Sequence, residues 1–212
     1  MWAIRSFDTL PSTQQYLIEA IRQGEITQPV AIIAEEQTQG QGSRNNTWEG
    51  GRGNLFASVS VELTSLPGDL LPQSASIYFA WILKEALAEM GENVWLKWPN
   101  DLYTDDGKIG GIMTQKLKDF FVVGIGVNLK KNQNAHTSLS TDISALILLN
   151  IFLKHLAKYP KWKHLFSKYQ LEFEKNRAFF IHHKNAKIGL ENAILCDDGS
   201  LQINDERMYS LR

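Results

Sequence analysis

Residues 95–113 read WLKWPNDLYTDDGKIGGIM, and this stretch decides how the centre of the chain folds. The apolar, β-prone residues 94–98 predict a strand, which Pro99 ends because proline cannot donate a hydrogen bond to a neighbouring strand. Residues 105–107, Asp-Asp-Gly, are typical of a tight turn. A second strand is predicted over 109–114, so the stretch indicates two antiparallel strands.

The antiparallel return predicts a charged corner at one end of this pair of strands. It brings Asn100 and Asp101 beside Lys108, Gly110 and Gly111. Lysine supplies a compact positive charge, and glycine lets a ligand approach the backbone closely. The corner is therefore suited to hold an acid group and a phosphate together. An ordinary hairpin with a solvated lysine is the simpler interpretation of this stretch alone.

The composition is that of a soluble globular protein and excludes several classes. The chain has 212 residues, of which 43% are hydrophobic and 21% charged, so we expect one substantial domain and a small appendage. The net charge of −1 provides no basic field, so no nucleic-acid partner is expected. Cys196 is the only cysteine, which fits a reducing, cytoplasmic compartment. We expect no signal peptide and no membrane span, since the apolar run 145–153 is too short.

Hydrophobic periodicity predicts strands and helices along the first 176 residues. The predicted strands are 2–7, 30–34, 55–63 and 120–129, and the predicted helices are 12–24, 74–90, 142–159 and 162–176. The third strand alternates between apolar and polar residues, which predicts a half-buried strand with Ser58 and Ser60 on the polar side. We expect Ser12 or Thr13 to cap the first helix and Asp142 to cap the third.

A polar loop of roughly twenty residues, 35–54, follows the second strand, and loops of this length are usually functional or disordered. Its five glycines allow the backbone to wrap a ligand, and Arg44 and Arg52 are suited to phosphate or carboxylate groups. Trp48 needs a surface to cover, which is either a ligand ring or the core. Gly40-x-Gly42 lacks the third glycine of the dinucleotide fingerprint, and the chain has no P-loop motif.

The residue pattern of the sequence changes near its C-terminal end. From residue 179 onward the chain consists of short β segments, with Asp197-Asp198-Gly199 as a hairpin signal. A small β-barrel or partial barrel of about 35 residues is too small to be stable alone, so we expect it to pack on the main domain. The predicted domains are 1–176, which would bind substrates, and 177–212, a small β domain.

Taken together, the motifs resemble in content and order those of the biotin protein ligases, the enzymes that attach biotin to a lysine of a carboxyl-carrier domain. The resemblance covers nearly the whole chain. The combination of Lys97-Trp98-Pro99-Asn100-Asp101 with Lys108-Ile109-Gly110-Gly111 is highly specific. The motifs are Ser12-Thr13, Glu36-Gln37-Thr38 through Trp48, Gly53-Asn54-Leu55, Lys97-Trp98-Pro99-Asn100-Asp101, Lys108-Ile109-Gly110-Gly111-Ile112 and Gly124-Ile125-Gly126-Val127-Asn128.

The resemblance implies a fold, a reaction and a set of substrates. The fold is α+β: a mixed β-sheet flanked by helices, similar to class II aminoacyl-tRNA synthetase catalytic domains, with a small C-terminal SH3-like β-barrel. Biotin and ATP, with Mg²⁺ bound to the nucleotide, would give biotinyl-5′-AMP. The biotin would then pass to a lysine of the biotin carboxyl carrier protein of acetyl-CoA carboxylase. Family members are monomers or homodimers, so a homodimer stays open.

The resemblance also implies roles for particular residues, while leaving the metal ligands unknown. The expected catalytic residues are Lys108, Arg44 and Asp101. The expected biotin-binding residues are Ser12, Thr13, Gln14, Gln37, Gly40, Gln41, Gly42, Ser43, Lys108 and Gly111. The expected ATP- or adenylate-binding residues are Arg44, Trp48, Asn54, Lys97, Asn100, Asp101 and Asn128.

One loop departs from the family pattern. Many members carry Gly-Arg-Gly-Arg-Arg-Gly-Arg where this chain has Gly-Gln-Gly-Ser-Arg-Asn-Asn at 40–46. Gln41 and Ser43 thus replace the usual arginines, and Arg44 would have to take over by a shift of one residue. A weaker hold on biotinyl-AMP is predicted. Only eleven residues precede Ser12, so we expect the short form without the DNA-binding domain of repressor members.

Two other functions remain open at this point. A lipoate or octanoate ligase or transferase would have a related fold with a lysine near the acyl carboxylate, although the Lys-Trp-Pro-Asn-Asp stretch and the Trp48 loop argue against it. A non-catalytic biotin- or nucleotide-binding regulator would require a degenerate site, and the missing arginines are compatible with that.

Overall fold

The computed structural model describes residues 2–42, 48, 51–130, 137–139, 142–183 and 186–210. Among these residues, no helix has the length and hydrophobicity required to cross a membrane. The large elements are β1 (Ala3–Leu10), α1 (Thr13–Gln23), β2 (Val30–Gln37), β3 (Leu55–Glu62), α2 (Ala75–Glu89), β4 (Trp95–Lys97), β5 (Asp101–Thr104), β6 (Gly107–Leu117), β7 (Phe120–Val127), α3 (Ala145–Leu156) and α4 (Trp162–Glu172). The small C-terminal strands are β8 (Phe180–His183), β9 (Ala186–Gly189), β10 (Ile194–Leu195), β11 (Leu201–Ile203) and β12 (Glu206–Met208).

A mixed seven-stranded sheet is the centre of the fold, with strand order β1-β2-β3-β7-β6-β5-β4. Strands β1 and β2 are parallel, and every other neighbouring pair is antiparallel. Helix α1 packs on one face over a smaller core that includes Leu17, Ile32 and Val122. Helices α2, α3 and α4 contribute to the larger core on the other face. The predicted fold class, a mixed sheet flanked by helices, is confirmed.

The central stretch forms three strands rather than the two predicted. Residues 98–100 make a turn, and β5 then pairs with β4 on one side and with β6 on the other. In this arrangement Asp101 is opposite Lys97 of β4 and opposite Gly111 of β6. The prediction missed β5 because four residues between two turns carry too little periodicity to identify a strand.

Strand β3 is buried on both faces, so the prediction of a half-buried strand is wrong. The side chains of Ser58 and Ser60 are 0% exposed. The alternation correctly indicates a strand with one apolar and one polar side. Helix α1, however, covers the side that carries the serines. Small hydroxyl side chains fit under that helix because they hydrogen-bond locally, as Ser60 does with both backbone groups of Val30 at 2.9 and 3.3 Å.

The third helix is shorter than predicted and begins elsewhere. Ser144, not Asp142, occupies the N-cap position of α3. Asp142 is instead an exposed side chain whose carboxylate lies 3.8 Å from the Lys130 ammonium. At the first helix Ser12 is the N-cap, in agreement with one of the two predicted candidates.

The C-terminal strands form two small sheets in the described residues, β8–β9 and β10–β11–β12. Leu190, Ala193 and Leu201 from this region belong to the same buried core as α2 and α4. Gly199 approaches the core closely, since a Cβ there would lie 2.7 Å from Ile77 Cδ1. The small strands therefore pack on the main body, whereas closure into an SH3-like barrel stays a prediction.

Candidate functional site

A buried polar cluster lies where the first turn of α1 meets β2 and β3. Ser12 caps the helix by accepting a hydrogen bond from its first turn. Gln37 Oε1 accepts hydrogen bonds from the Thr13 backbone N–H at 2.7 Å and from the Thr13 hydroxyl at 3.1 Å. The Thr13 and Ser58 hydroxyls lie 2.9 Å apart, and Ser58 donates to Gln14 Oε1 at 3.2 Å. Four of the predicted biotin-binding residues therefore meet in one place.

Glycines of β7 form the floor beside this cluster. A Cβ on Gly124 would lie 2.6 Å from Gln14 Oε1, and a Cβ on Gly126 would lie 2.7 Å from Trp48 Cε2. Only glycine lets these two side chains rest directly on the sheet. The floor is part of two rows of residues that are paired across the sheet, Ser58–Gly124–Met113 and Phe56–Gly126–Gly111–Asp101.

The predicted charged corner lies at the end of the second row. The Lys108 ammonium is 2.6 Å from Asp101 Oδ1, and the two side chains are 38% and 21% exposed. A Cβ on Gly111 would lie 3.2 Å from Asp101 Oδ1, so glycine leaves the carboxylate its place. Burial raises the pKa of the neighbouring Tyr103, and the negative charge of Asp101 adds to the effect. The partly exposed ammonium of Lys108 and carboxylate of Asp101 thus lie together beside the Gly111 backbone, which carries no side chain.

Trp48 joins the glycine floor to this corner. Its indole lies against Gly126, and the Lys108 ammonium is 5.6 Å from the centroid of its ring, within the range of a cation–π contact. The Trp48 backbone N–H donates to the Gly40 carbonyl at 2.8 Å, which ties the loop to the end of β2. Its Nε1 is buried and makes no hydrogen bond within the described part of the chain. A buried donor without a partner is rare in proteins, and a ligand acceptor would satisfy it.

The three predicted asparagines have different surroundings. Asn54 is 2% exposed, and its Oδ1 accepts from the backbone N–H groups of Leu129 and Lys130 at 2.8 and 3.0 Å, so it holds two loops together. Asn100 pairs with Ile112 through both its backbone and its side chain. Asn128 Oδ1 is buried and, among the described residues, without a hydrogen-bond partner. Asn128 is therefore the best placed of the three to bind a ligand donor.

Lys97 lies at the border between the main sheet and the C-terminal strands. Its ammonium is 5.4, 5.3 and 5.8 Å from the ring centroids of Tyr103, Phe179 and Phe180. Phe180 is 37% exposed and also carries the Lys187 ammonium at 3.6 Å from its ring. The aromatic rings thus hold the predicted nucleotide-binding lysine from the side of the C-terminal strands.

The strand that carries Lys97 is clamped by two side chains that sequence reasoning missed. Glu172 accepts from the Leu96 N–H at 2.8 Å, and Asn176 accepts from the Trp98 N–H at 2.7 Å. Asn176 also donates to the Leu96 carbonyl at 3.2 Å and is 0% exposed. These bonds close the free edge of β4 in the manner of an extra strand. No specific signal in the sequence pointed to this role, since Asn176 is simply the last residue of the predicted helix 162–176.

The remaining predicted residues lie in or beside the long loop. Gly40 is buried against the Trp48 backbone, while Gln41 is exposed and Gly42 half-buried. Ser43 and Arg44 lie outside the described residues. Arg52 forms two 2.8 Å bonds with the Asp8 carboxylate and approaches Glu36 at 3.3 Å, so it meets carboxylates of its own chain.

The described residues contain no group of three or more His, Cys, Asp or Glu side chains suited to a metal ion. Within the described part of the chain, the carboxylate nearest the Lys108 ammonium is that of Asp101, at 2.6 Å. Mg²⁺ keeps several waters and is commonly held by one or two carboxylates together with substrate phosphates. The residues present therefore fit a magnesium ion that arrives on a nucleotide, with Asp101 as the protein group nearest to it.

Comparison with known families identifies the class of protein. The model of the biotin/lipoate A/B protein ligase family matches residues 6–132, which is more than half of the chain. The chain therefore belongs to this family. The matched range contains the α1 cluster, the Trp48 loop, the Lys108 corner and the two glycines of β7.

One solved structure and two curated proteins show the similarity to individual members. A crystal structure of biotin acetyl coenzyme A carboxylase synthetase from Helicobacter pylori, with bound biotinylated ATP, superimposes with a TM-score of 0.94 at 37% identity. The match covers 99% of this chain and 100% of that one. The bifunctional ligase/repressor BirA of Escherichia coli K12 is 36% identical over 127 residues, 57% of this chain and 38% of that protein. The biotin--[acetyl-CoA-carboxylase] ligase of Mycobacterium tuberculosis is 28% identical over 144 residues, 66% of this chain and 53% of that protein. The chain thus spans about two fifths to a half of the length of these two curated relatives.

Proposed function

We propose that this protein is a biotin protein ligase. It activates biotin with ATP to biotinyl-5′-AMP and then transfers biotin to a specific lysine of the biotin carboxyl carrier protein of acetyl-CoA carboxylase. The observation that carries the proposal is the position of the Lys108 ammonium, 2.6 Å from Asp101 and 5.6 Å from the Trp48 ring, at the end of a glycine floor that leads to a buried polar cluster.

The site suits the first step because that step brings two anions together. Attack of a carboxylate on the α-phosphate of ATP develops negative charge, which a preorganised cation stabilises. Lys108 supplies this cation, and Gly111 leaves room for the reacting groups against the backbone. A magnesium ion that arrives on the nucleotide would supply positive charge at the leaving pyrophosphate, and Asp101 is the described carboxylate placed to hold it.

The polar cluster and the tryptophan suit the two ends of the product. Thr13, Gln14 and Gln37 offer hydroxyl and amide groups to the ureido ring of biotin. Trp48 offers a flat surface and a buried N–H toward the adenylate, and Asn128 offers a carbonyl oxygen that has no partner among the residues the structure describes. The two sets lie on the same face of the sheet, joined by Gly124 and Gly126.

The second step requires the acceptor lysine to reach the mixed anhydride. The Asp101 carboxylate is partly exposed beside Lys108, so it is placed to orient the incoming ammonium. Phe179 and Phe180 lie against Lys97, which is opposite Asp101 in the sheet, and we assign 177–212 to a second domain that the carrier protein approaches. A cytoplasmic location agrees with the composition, and a monomer or a homodimer agrees with the family; the reaction needs neither a membrane nor a nucleic acid.

A biotin-dependent pyrophosphate-exchange assay tests the proposal. The purified chain should catalyse exchange into ATP with biotin and not with lipoate, and should label a carrier domain in an ATP-dependent manner. Exchange with lipoate instead would favour a lipoate ligase. Binding of biotin with neither exchange nor labelling would favour a non-catalytic regulator.

A further inference from the structure

Ser58 lies beside Thr13 and Gln14, two residues of the candidate biotin site, and contacts both. It belongs to β3, is 0% exposed, and faces the first turn of α1. Its hydroxyl lies 2.9 Å from the Thr13 hydroxyl and donates to Gln14 Oε1 at 3.2 Å. Ser58 thus contacts both residues while being fully buried itself.

The hydrogen bonds of this cluster require more hydrogens than its hydroxyls possess. Thr13 donates to Gln37 Oε1 at 3.1 Å, Thr13 and Ser58 are in contact, and Ser58 donates to Gln14. Each hydroxyl carries one hydrogen, so two hydrogens serve three contacts. When Thr13 donates to Ser58 and Ser58 donates to Gln14, the Thr13 hydroxyl oxygen and Gln37 Oε1 face each other at 3.1 Å with no hydroxyl hydrogen between them, which is unfavourable in a partly buried position. A ligand N–H directed at this pair supplies the missing hydrogen.

The amide of Gln37 offers the complementary group. Its Oε1 is held by the Thr13 backbone N–H at 2.7 Å, so its Nε2 is directed toward Gly40, 3.1 Å from where a Cβ on that glycine would lie. The cluster thus presents a donor next to an acceptor that lacks a hydrogen. A cyclic urea carries a carbonyl flanked by N–H groups and matches this arrangement, whereas a dithiolane or an alkyl chain has neither group.

We propose that Ser58 is a positioning and specificity residue, which acts through Thr13 and Gln14 to make the site select ligands that carry an N–H donor. This inference rests on the proposed function, since it assigns the cluster to biotin. It also predicts that the contribution of Ser58 to binding depends on Thr13, because the two hydroxyls share their hydrogens.

The chain contains a matched control for this proposal. Ser60 lies two residues further along β3 on the same face and is also 0% exposed, and among the described residues its hydroxyl hydrogen-bonds only to the Val30 backbone. Ser58→Ala and Ser60→Ala remove the same buried atom from the same strand. A purely structural role would lower the thermal unfolding temperature of both variants and change ligand binding in neither.

Calorimetric titration of the full chain with biotin alone provides the test. We expect Ser58→Ala to raise the Kd for biotin and for desthiobiotin about 10-fold, and Ser60→Ala to leave both Kd values within twofold. In a Thr13→Val background, Ser58→Ala should add less than twofold. The KM for ATP should be the same in Ser58→Ala as in the unmodified chain.

The outcomes separate this inference from the proposed function. Equal effects of Ser58→Ala and Ser60→Ala on the Kd, or no effect of Ser58→Ala, would overturn the role of Ser58. The proposed ligase function would be unaffected by either result. Full additivity with Thr13→Val would overturn the shared-hydrogen argument. If the unmodified chain does not bind biotin at all, the proposed function fails and the assignment of Ser58 fails with it.

Discussion

The Lys108 ammonium and the Asp101 carboxylate lie 2.6 Å apart, on the adjacent antiparallel strands β6 and β5, where Asp101 is opposite Gly111. The pair is partly exposed, so its value to stability is small and its geometry is better explained by chemistry. A lysine held in this position, next to glycine backbone without side chains, can neutralise the negative charge of an anion that binds there. The catalytic argument for this protein depends on that pair.

Replacement of Lys108 by alanine should abolish most of the adenylation activity. Loss of one preorganised charge that stabilises a developing anion typically costs roughly 10²–10³-fold in rate. The fold should be retained, because the side chain is 38% exposed and fills no core volume. Pyrophosphate exchange measures the effect, and Lys116→Ala, an exposed lysine on the same strand, is the control. Wild-type exchange by Lys108→Ala would refute the role.

Gly126→Ala should weaken ATP binding through Trp48. The added Cβ would lie 2.7 Å from Trp48 Cε2, so the indole must move off the sheet. We expect the KM for ATP to rise by about 10-fold, in line with the roughly 1–3 kcal/mol measured for stacking of a base on an aromatic ring. Gly68→Ala is the control, because a Cβ there meets nothing within 4 Å. In a Trp48→Ala background the same change should have little further effect; an undiminished effect would show that Gly126 acts by another route.

Asn54→Ala should destabilise the fold more than it affects nucleotide binding. The change removes the acceptor for the Leu129 and Lys130 N–H groups, and a buried donor without a partner costs about 1–3 kcal/mol. Urea denaturation measures the free energy of unfolding, and Asn54→Asp, which keeps the acceptor, should lose less. An unchanged unfolding midpoint together with a raised KM for ATP would instead support the direct nucleotide contact implied by the family resemblance.

Phe180→Leu should raise the KM for ATP about 2- to 5-fold, the equivalent of roughly 0.5–1 kcal/mol for one exposed cation–π contact with Lys97. The protein should remain folded, since Phe180 is 37% exposed. Phe180→Tyr should restore the KM, because tyrosine keeps the aromatic face. Ile194→Ala removes a 63%-exposed side chain from the same C-terminal region and serves as the control. Equal KM values for Phe180→Leu and Ile194→Ala would contradict a role for the ring.

Asp198 should make the attachment of the C-terminal strands sensitive to acid. Burial alone would raise the pKa of Asp198, but hydrogen bonds from Ser200, Arg207 and Gln73 outweigh it and lower the pKa to about 2. Because the folded-state pKa is below the unfolded value of 3.8, the contribution to stability is fully present above pH 3.8 and is lost as the pH falls toward 2. After solvent screening this contribution is roughly 1 kcal/mol.

Thermal unfolding as a function of pH measures this effect. Asp198→Asn should unfold at a lower temperature than the unmodified chain at pH 6, and the difference should shrink between pH 4 and pH 2. Asp8→Asn is a comparison, since the Arg52 guanidinium lowers the pKa of Asp8 at a fully exposed site where solvent screens the pair. A difference that stays constant down to pH 2 would rule out the carboxylate as its cause.

The site was predictable wherever its residues lie close together in the sequence. Asn100, Asp101 and Lys108 belong to one continuous stretch, and a turn signal at 105–107 was sufficient to bring them together. The polar loop 35–54 marked Trp48 as a residue that covers either a ligand ring or the core, and the family resemblance added Thr13 and Gln37. No local pattern reveals that these three residues converge. Ser43 and Arg44 lie outside the described residues, so their roles stay predictions.

The sequence by itself determined the strands and helices with strong periodicity, the turn that forms the charged corner, and the motifs of the family. Only the tertiary structure decided that Ser58 is buried, that Asn176 clamps the strand of Lys97, and that Trp48 rests on Gly126. The physical reason is that periodicity reports which face of an element is apolar, whereas burial of a polar face depends on a second layer placed there by distant parts of the chain. Glycines give no periodic signal, and the alternating serines of β3 indicate a solvent-facing side where a helix in fact packs; in this protein these are the residues on which the layers meet.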